Sequence, residues 1–348
     1  MKVALIGLLQ SGKSTLLSSV SGRNIPPVGS TSIEEAVVPV PDERLDWLTE
    51  LHNPKKTTRS TVDCMDVPGF NFADDSGRAA ARRLINKIRT IDMLVLVIKG
   101  FGADANPAQD VSNLLTELLL ADLELVTTRI EKLEKQVRKP TKTQARDKAE
   151  LALQNKLQAA IEAEKPISTA IETEAELDII KSLGFLTLKP MFVAVNTDEG
   201  AIDEVPDLSG VLDSSVPVVG ICAKLEQELS QLDPEDKTEF MADLGLTELA
   251  ASRFVNQCYS ALGLISFLTS GPDEVRAWPI RKGTIAHDAA GKIHSDIKRG
   301  FIRAETFSFD ALKEHGSEKE LKAVGKIRLE GKEYVVQDGD IMNFRFNV

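Results

Sequence analysis

Eight consecutive residues, Gly7-Leu8-Leu9-Gln10-Ser11-Gly12-Lys13-Ser14, carry the spacing G-x-x-x-x-G-K-S/T. A loop of this form turns backbone N–H groups inward, where they can surround the phosphates of a nucleotide. Lys13 is then the side chain that reaches the β- and γ-phosphates, and the Ser14 hydroxyl is a ligand for Mg²⁺. Gln10, Ser11, Gly12 and Thr15 complete the loop's expected nucleotide contacts. Further motifs follow in the order that a nucleotide-switch domain requires. Asp66-Val67-Pro68-Gly69 has the form D-x-x-G. In it Asp66 would hold Mg²⁺ through water, and the Gly69 N–H would touch the γ-phosphate. Asn196-Thr197-Asp198-Glu199 stands where such domains read the base, and Cys222-Ala223-Lys224 where a backbone N–H supports it.

The base-reading motif bears on substrate. The usual guanine reader is N-K-x-D, whose aspartate accepts from guanine N1–H and the 2-amino group. Here Glu199 stands in place of that aspartate and Thr197 in place of the lysine. Adenine offers an N6 amino donor and an N1 acceptor instead. A carboxylate facing a base edge that it cannot pair with costs about 1–3 kcal/mol, so the change should relax or reverse guanine preference.

The elements that must position these residues are legible as apolar runs. Lys2 to Ile6 reads as a short buried strand leading into the phosphate loop, and Thr15-Leu16-Leu17-Ser18-Ser19-Val20 as a helix whose positive end meets the phosphates. Residues 93–98, 191–195 and 216–221 read as further buried parallel strands. The more alternating run 60–65 is expected nearer a sheet edge. The chemical motifs follow the C-terminal ends of these strands, where open α/β sheets place ligands. Between Gly102 and Gly184 there is no glycine, and the segment is rich in good helix formers. Val126, Ile130, Leu133 and Val137 follow 4-3-4 spacing, and Leu153, Leu157 and Ala160 follow 4-3. These stripes predict two long antiparallel helices forming a coiled-coil arm, then a shorter returning helix. No His or paired carboxylate sits at ligand spacing on the apolar stripes, which disfavours a cofactor-binding bundle. Past residue 269 the chain turns to short β-like runs, including Tyr334-Val335-Val336 and the alternating 342–346. The expected organisation is a discontinuous α/β P-loop domain (1–107 and 184–268), a helical insert (108–183) and a small β-rich domain (269–348).

The chain has 348 residues, enough for two or three domains, and a formal net charge of −11. Its three cysteines and four histidines are scattered without paired spacing, which suits a reducing compartment and argues against zinc. No basic-then-apolar leader or membrane-spanning run is visible, so a cytoplasmic protein without a membrane partner is expected. The charge is unevenly placed. Residues 199–249 hold thirteen Asp and Glu against two Lys, whereas 276–303 hold seven Lys and Arg against two Asp. Such asymmetry can mark a polyanion contact near the C-terminus, although two ordinary solvated faces give the same counts.

Taken together, these motifs resemble the YchF family of Obg-related P-loop NTPases, the Obg-like ATPases. The resemblance rests on residues 7–15, the run 37–46, the N-x-x-E of Asn196 and Glu199, and Cys222-Ala223-Lys224-Leu225-Glu226. It is closest in Glu274-Val275-Arg276-Ala277-Trp278, Gly291-Lys292-Ile293-His294, residues 299–304 and residues 334–348. It implies a G domain, a coiled-coil insert and a C-terminal TGS domain of β-grasp fold. It also implies a monomer that hydrolyses ATP at least as readily as GTP with Mg²⁺, and that binds ribosomes.

The chain departs from the family's pattern in three places. Leu9-Gln10-Ser11 replaces Pro-Asn-Val in the phosphate loop, and Phe70-Asn71-Phe72-Ala73-Asp74-Asp75-Ser76-Gly77 is short and glycine-poor where the family has a mobile glycine-rich stretch. The segment before Val37 is also shortened, which leaves Ser30 or Thr31 as the Mg²⁺-sensing hydroxyl. Phe70 stands where many GTPases place a water-orienting glutamine, and a hydrophobic side chain cannot orient water. Slow intrinsic turnover follows, with Gln10 a conceivable substitute. Two readings result: an ATP-hydrolysing switch, or a nucleotide-stabilised interaction module with little hydrolysis.

Overall fold

The structure, a computed structural model, describes residues 1–23, 25, 32–202, 204–244, 246 and 248–347. Ser30 and Thr31, the two candidate Mg²⁺-sensing hydroxyls, lie outside the described residues. The chain divides into two compact units, Met1–Ala36 with Asp63–Ala251, and Val37–Val62 with Ser252–Val348. In chain order the strands are β1 (Lys2–Ile6), β2 (Glu34–Pro39), β3 (Lys56–Thr58), β4 (Thr61–Asp66), β5 (Met93–Lys99) and β6 (Met191–Asn196). They continue as β7 (Val218–Ile221), β8 (Leu264–Thr269), β9 (Glu274–Arg281), β10 (Phe301–Ser308), β11 (Arg328–Glu330) and β12 (Asp340–Phe346). Helices used below are α1 (Lys13–Ser21), α2 (Glu43–His52), α3 (Asp75–Lys87), α4 (Pro107–Gln136), α5 (Gln144–Glu162), α6 (Glu174–Ile180) and α7 (Ala223–Leu229).

The first sheet has the order β2-β4-β1-β5-β6-β7, with β4, β1, β5, β6 and β7 parallel. Val3, Ala4, Leu5 and Ile6 are fully buried at its centre, as a doubly covered parallel strand requires. The run 60–65, expected nearer an edge, is β4, second from the edge with β2 outside it. Its alternation comes from Thr61 and Asp63 at the strand's N-terminal end, whereas Cys64, Met65 and Asp66 are all buried.

The helical insert forms α4 and α5, linked by residues 137–143 and followed by α6. Val126, Leu153, Leu157 and Ile161 share one apolar cluster with Ile180 and Phe185. The seam on α5 therefore runs through Ile161 rather than Ala160. The expected insert boundary at 108 falls inside the first turn of α4. The next two turns bury Val111, Leu114 and Leu118 in the core of the α/β sheet. The hairpin thus grows out of that core and belongs to the first unit.

In the second unit the sheet order is β11-β10-β12-β8-β9-β3. Helix 286–293 packs Ala286, Ala289 and Ala290 against Phe267, Phe301 and Phe344. Residues 37–62, expected within the α/β domain, belong here. Leu45 and Leu48 of α2 are buried with Leu268, Val275 and Leu312, and β3 pairs in parallel with β9. The stretch 334–336, expected as a strand, makes one bridge, Ile285 to Val335. Tyr334 Oη donates to Asp340 Oδ2 at 2.7 Å and the Gln337 N–H to the same oxygen at 2.9 Å, which anchors this segment to the start of β12.

Candidate functional site

The C-terminal ends of β1, β4, β6 and β7 open into one cavity of about 1190 Å³. Its lining includes Gln10, Ser11, Gly12, Lys13, Ser14, Thr15, Asp66, Gly69, Asn196, Glu199, Cys222, Ala223 and Lys224, so these expected site residues are brought together.

The loop geometry has local causes. Gln10 takes φ +61° and Gly12 φ +90°. A Cβ added at Gly12 would come within 2.1 Å of Asn196 Nδ2, so glycine is needed both for conformation and for close approach. Lys13 is only 5 % exposed, and its Nζ donates to Gly7 O (3.2 Å), Leu8 O (2.9 Å) and Ser11 Oγ (3.3 Å). Burial brings its ammonium down to about 8, and the Asp66 charge works against that fall. Ser14 Oγ donates to Asp66 Oδ2 at 2.5 Å, while Asp66 Oδ1 is buried without a partner among the described residues. Burial raises the Asp66 carboxyl above the ordinary carboxylate range, opposed by the Ser14 hydrogen bond and the Lys13 charge.

Two hydrogen bonds tie the phosphate loop to the D-x-x-G loop: Leu9 N–H to Phe70 O at 3.2 Å and Phe70 N–H to Gly7 O at 3.0 Å. Phe70 itself is 2 % exposed and turned into the core with Phe72, so its side chain presents nothing to the cavity. On the opposite wall Asn196 works in both directions. Its Nδ2 donates to Ser11 O at 3.1 Å, and its Oδ1 accepts from Ala223 N–H at 3.0 Å. One side chain thereby fixes the phosphate loop against the β7–α7 loop. Glu199 accepts from Lys224 Nζ at 3.2 Å, and Thr197 Oγ1 is buried without a partner among the described residues.

The sequence motifs missed one wall of the cavity. Ala80, Arg83, Leu84 and Lys87, one face of α3, line it together with Phe101 and Ser32. The spacing 80, 83, 84, 87 on a helix following D-x-x-G was the only available signal.

A family model, YchF-GTPase_C, described as a protein of unknown function (DUF933), matches residues 264–347. The chain is similar end to end to the ribosome-binding ATPase YchF of Bacillus subtilis strain 168, at 37 % identity over 99 % of this chain and 98 % of that one. It is 33 % identical to Obg-like ATPase 1 of Oryza sativa subsp. japonica, over 100 % of this chain and 92 % of that one. Among solved structures it resembles the Schizosaccharomyces pombe YchF GTPase, with a TM-score of 0.83, 28 % identity, and coverage of 99 % and 97 % of the two chains. Likeness of this extent spans nearly the whole chain, and the chain belongs to the YchF family of P-loop NTPases.

Proposed function

We propose that the chain binds ATP, and GTP no better, with Mg²⁺, hydrolyses it slowly, and docks on the ribosome in a nucleotide-dependent way from the cytoplasm. The observation that carries this reading is the convergence of Lys13, Ser14 and Asp66, held in register with the base-side loops by Asn196. The names of the relatives, a ribosome-binding ATPase and an Obg-like ATPase, support the same assignment.

The donors suit Mg²⁺. A serine hydroxyl and a buried carboxylate with one unpartnered oxygen are hard ligands, and phosphate oxygens would supply others. Ser14 and Asp66 would hold the ion, which when bound neutralises phosphate charge. Lys13 holds the terminal phosphates, the Gly12 and Lys13 end of α1 presents backbone N–H groups to them, and Gly69 lies close enough to Leu9 to close the loop over them. Phosphate release measured with and without ribosomes tests the proposal. The expected result is slow release that ribosomes modulate. The buried Phe70 favours the second reading, a binding module with little hydrolysis, and nucleotide binding without any release would select it.

Base choice is expected to follow Glu199 and Thr197. ATP should bind no worse than GTP, and Glu199→Asp combined with Thr197→Lys should move the preference toward GTP. Competition binding checks this. A parent protein favouring GTP more than tenfold would overturn the reading of the motif.

Docking on ribosomal RNA needs local positive charge in an acidic chain. Lys298 is paired with Asp288 at 2.8 Å and Arg299 with Asp296 at 2.9 Å, whereas Arg281 and Lys282 are exposed and form no ion pair among the described residues. Ribosome co-sedimentation should weaken with salt at a log–log slope of roughly −0.7 to −0.9 per phosphate contacted. Reversing Arg281, Lys282, Lys298 and Arg299 to Glu should reduce pelleting and leave ATP binding intact, and the first two should account for most of the loss. If that variant pellets normally while one lacking the α4–α5 hairpin tip does not, the contact belongs to the hairpin.

A further inference from the structure

The cavity holds two cations that no motif explains. Arg83 and Lys87 lie one turn apart on α3, both exposed, and both line the same cavity as Lys13, Asp66 and Gly69. Neither forms a hydrogen bond or ion pair among the described residues. The neighbours Ala81, Ile85 and Ile88 are buried in the sheet's core, which fixes the helix so that the 80/83/84/87 face meets the cavity. Like charges at i,i+4 repel, and here no acid on α3 relieves them. An anion arriving between them would.

The hydrolysis assigned above lacks a charged group on this side. Phe70 is buried, Lys13 is already assigned to the phosphates from the loop side, and Lys224, the other cation lining the cavity among the described residues, pairs with Glu199. We propose that Arg83, assisted by the Lys87 charge, contacts the terminal phosphate from α3 and stabilises the charge that develops during phosphoryl transfer. This rests on the nucleotide reading of the cavity. In that step a water oxygen bonds to the γ-phosphorus as the bond to the β–γ bridging oxygen breaks. The electron pair leaves with ADP, one water proton stays on the phosphate as HPO₄²⁻, and the other passes to solvent. Arg83 donates N–H groups to the equatorial oxygens and takes no proton. A guanidinium supplied within the chain is a known device for this chemistry, and removal of such a group slows P-loop enzymes by about 10³–10⁵-fold.

The test compares the full-length parent with Arg83→Ala, Arg83→Lys and Lys87→Ala. It reads single-turnover phosphate release, ADP affinity by calorimetry, and trapping of ADP with aluminium fluoride. Arg83→Ala should slow release at least tenfold and lose aluminium fluoride trapping, with ADP affinity unchanged. Arg83→Lys should recover part of the rate, and Lys87→Ala should lose less than Arg83→Ala. Release within twofold of the parent, with ADP still bound, overturns the inference and leaves the nucleotide reading standing. Loss of ADP affinity together with the rate overturns it too, because the side chain then serves binding in general. A parent that binds no nucleotide, or binds ATP and never cleaves it, removes the reaction on which it rests.

Discussion

Replacing Lys13 by alanine is expected to lower nucleotide affinity at least tenfold while the fold remains. The ammonium is buried and satisfied by the carbonyls of Gly7 and Leu8 and by Ser11 Oγ, so it is already positioned before any phosphate arrives. Deleting a desolvated cation that faces two phosphates costs about 2–5 kcal/mol. The larger end of that range applies because burial strengthens its interaction with phosphate charge. Isothermal calorimetry with ATP and ADP reads the effect, and ATP should lose more than ADP because it presents the additional γ-phosphate. Circular dichroism should be unchanged, since the lost hydrogen bonds are confined to one loop. Unchanged affinity would sink the assignment of the loop.

The site was legible where chemistry sits in contiguous residues. The phosphate loop, D-x-x-G, N-x-x-E and Cys222-Ala223-Lys224 each occupy a strand end, and β1, β4, β6 and β7 bring those ends to one edge of the sheet. Pairing with distant segments was not legible. Residues 37–62 contain Leu45, Trp47 and Leu48, whose partners Leu268, Val275 and Phe309 lie far along the chain, and nothing local distinguishes that helix from one packed on the first sheet. Strand β2 was hidden because it opens on Glu34 and Glu35 and closes on Pro39, leaving only three apolar residues between, and such charges and proline are how an edge strand is kept from pairing further.

Arg83 and Lys87 were missed for a different reason. Stretch 70–77 read only as short and glycine-poor, and no helix start was taken from it, yet Asp74 caps α3 by accepting from Gly77 N–H at 2.7 Å, and the helix starts at Asp75. The cap converts part of that stretch into a rigid element, and only its orientation over the core turns two ordinary surface cations toward the cavity.

Replacing Asp122 by alanine should be the most destabilising single change in the first unit. Asp122 lies on α4, is fully buried, and accepts from Arg89 Nη1 at 2.7 Å, Leu186 N–H at 3.1 Å, Thr187 N–H at 2.9 Å and Thr187 Oγ1 at 2.9 Å. These bonds join the helix that becomes the hairpin to the segment before β5 and to the loop before β6. Alanine strands a mostly buried guanidinium and three donors, so the loss is about 3–5 kcal/mol. Arg89 keeps its bonds to Ala121 O at 2.7 Å, Asn86 Oδ1 at 3.1 Å and Gly184 O at 3.4 Å, which argues for the lower half of that range. For a unit of this size the melting temperature should fall by roughly 2–4 °C per kcal/mol. Asp122→Asn retains an acceptor of the same shape and should lose less, which separates the charge from the geometry. Urea unfolding followed by circular dichroism checks both variants. A loss below about 1 kcal/mol for the alanine variant would mean that water replaces the carboxylate and that the root of the hairpin is held by apolar packing alone.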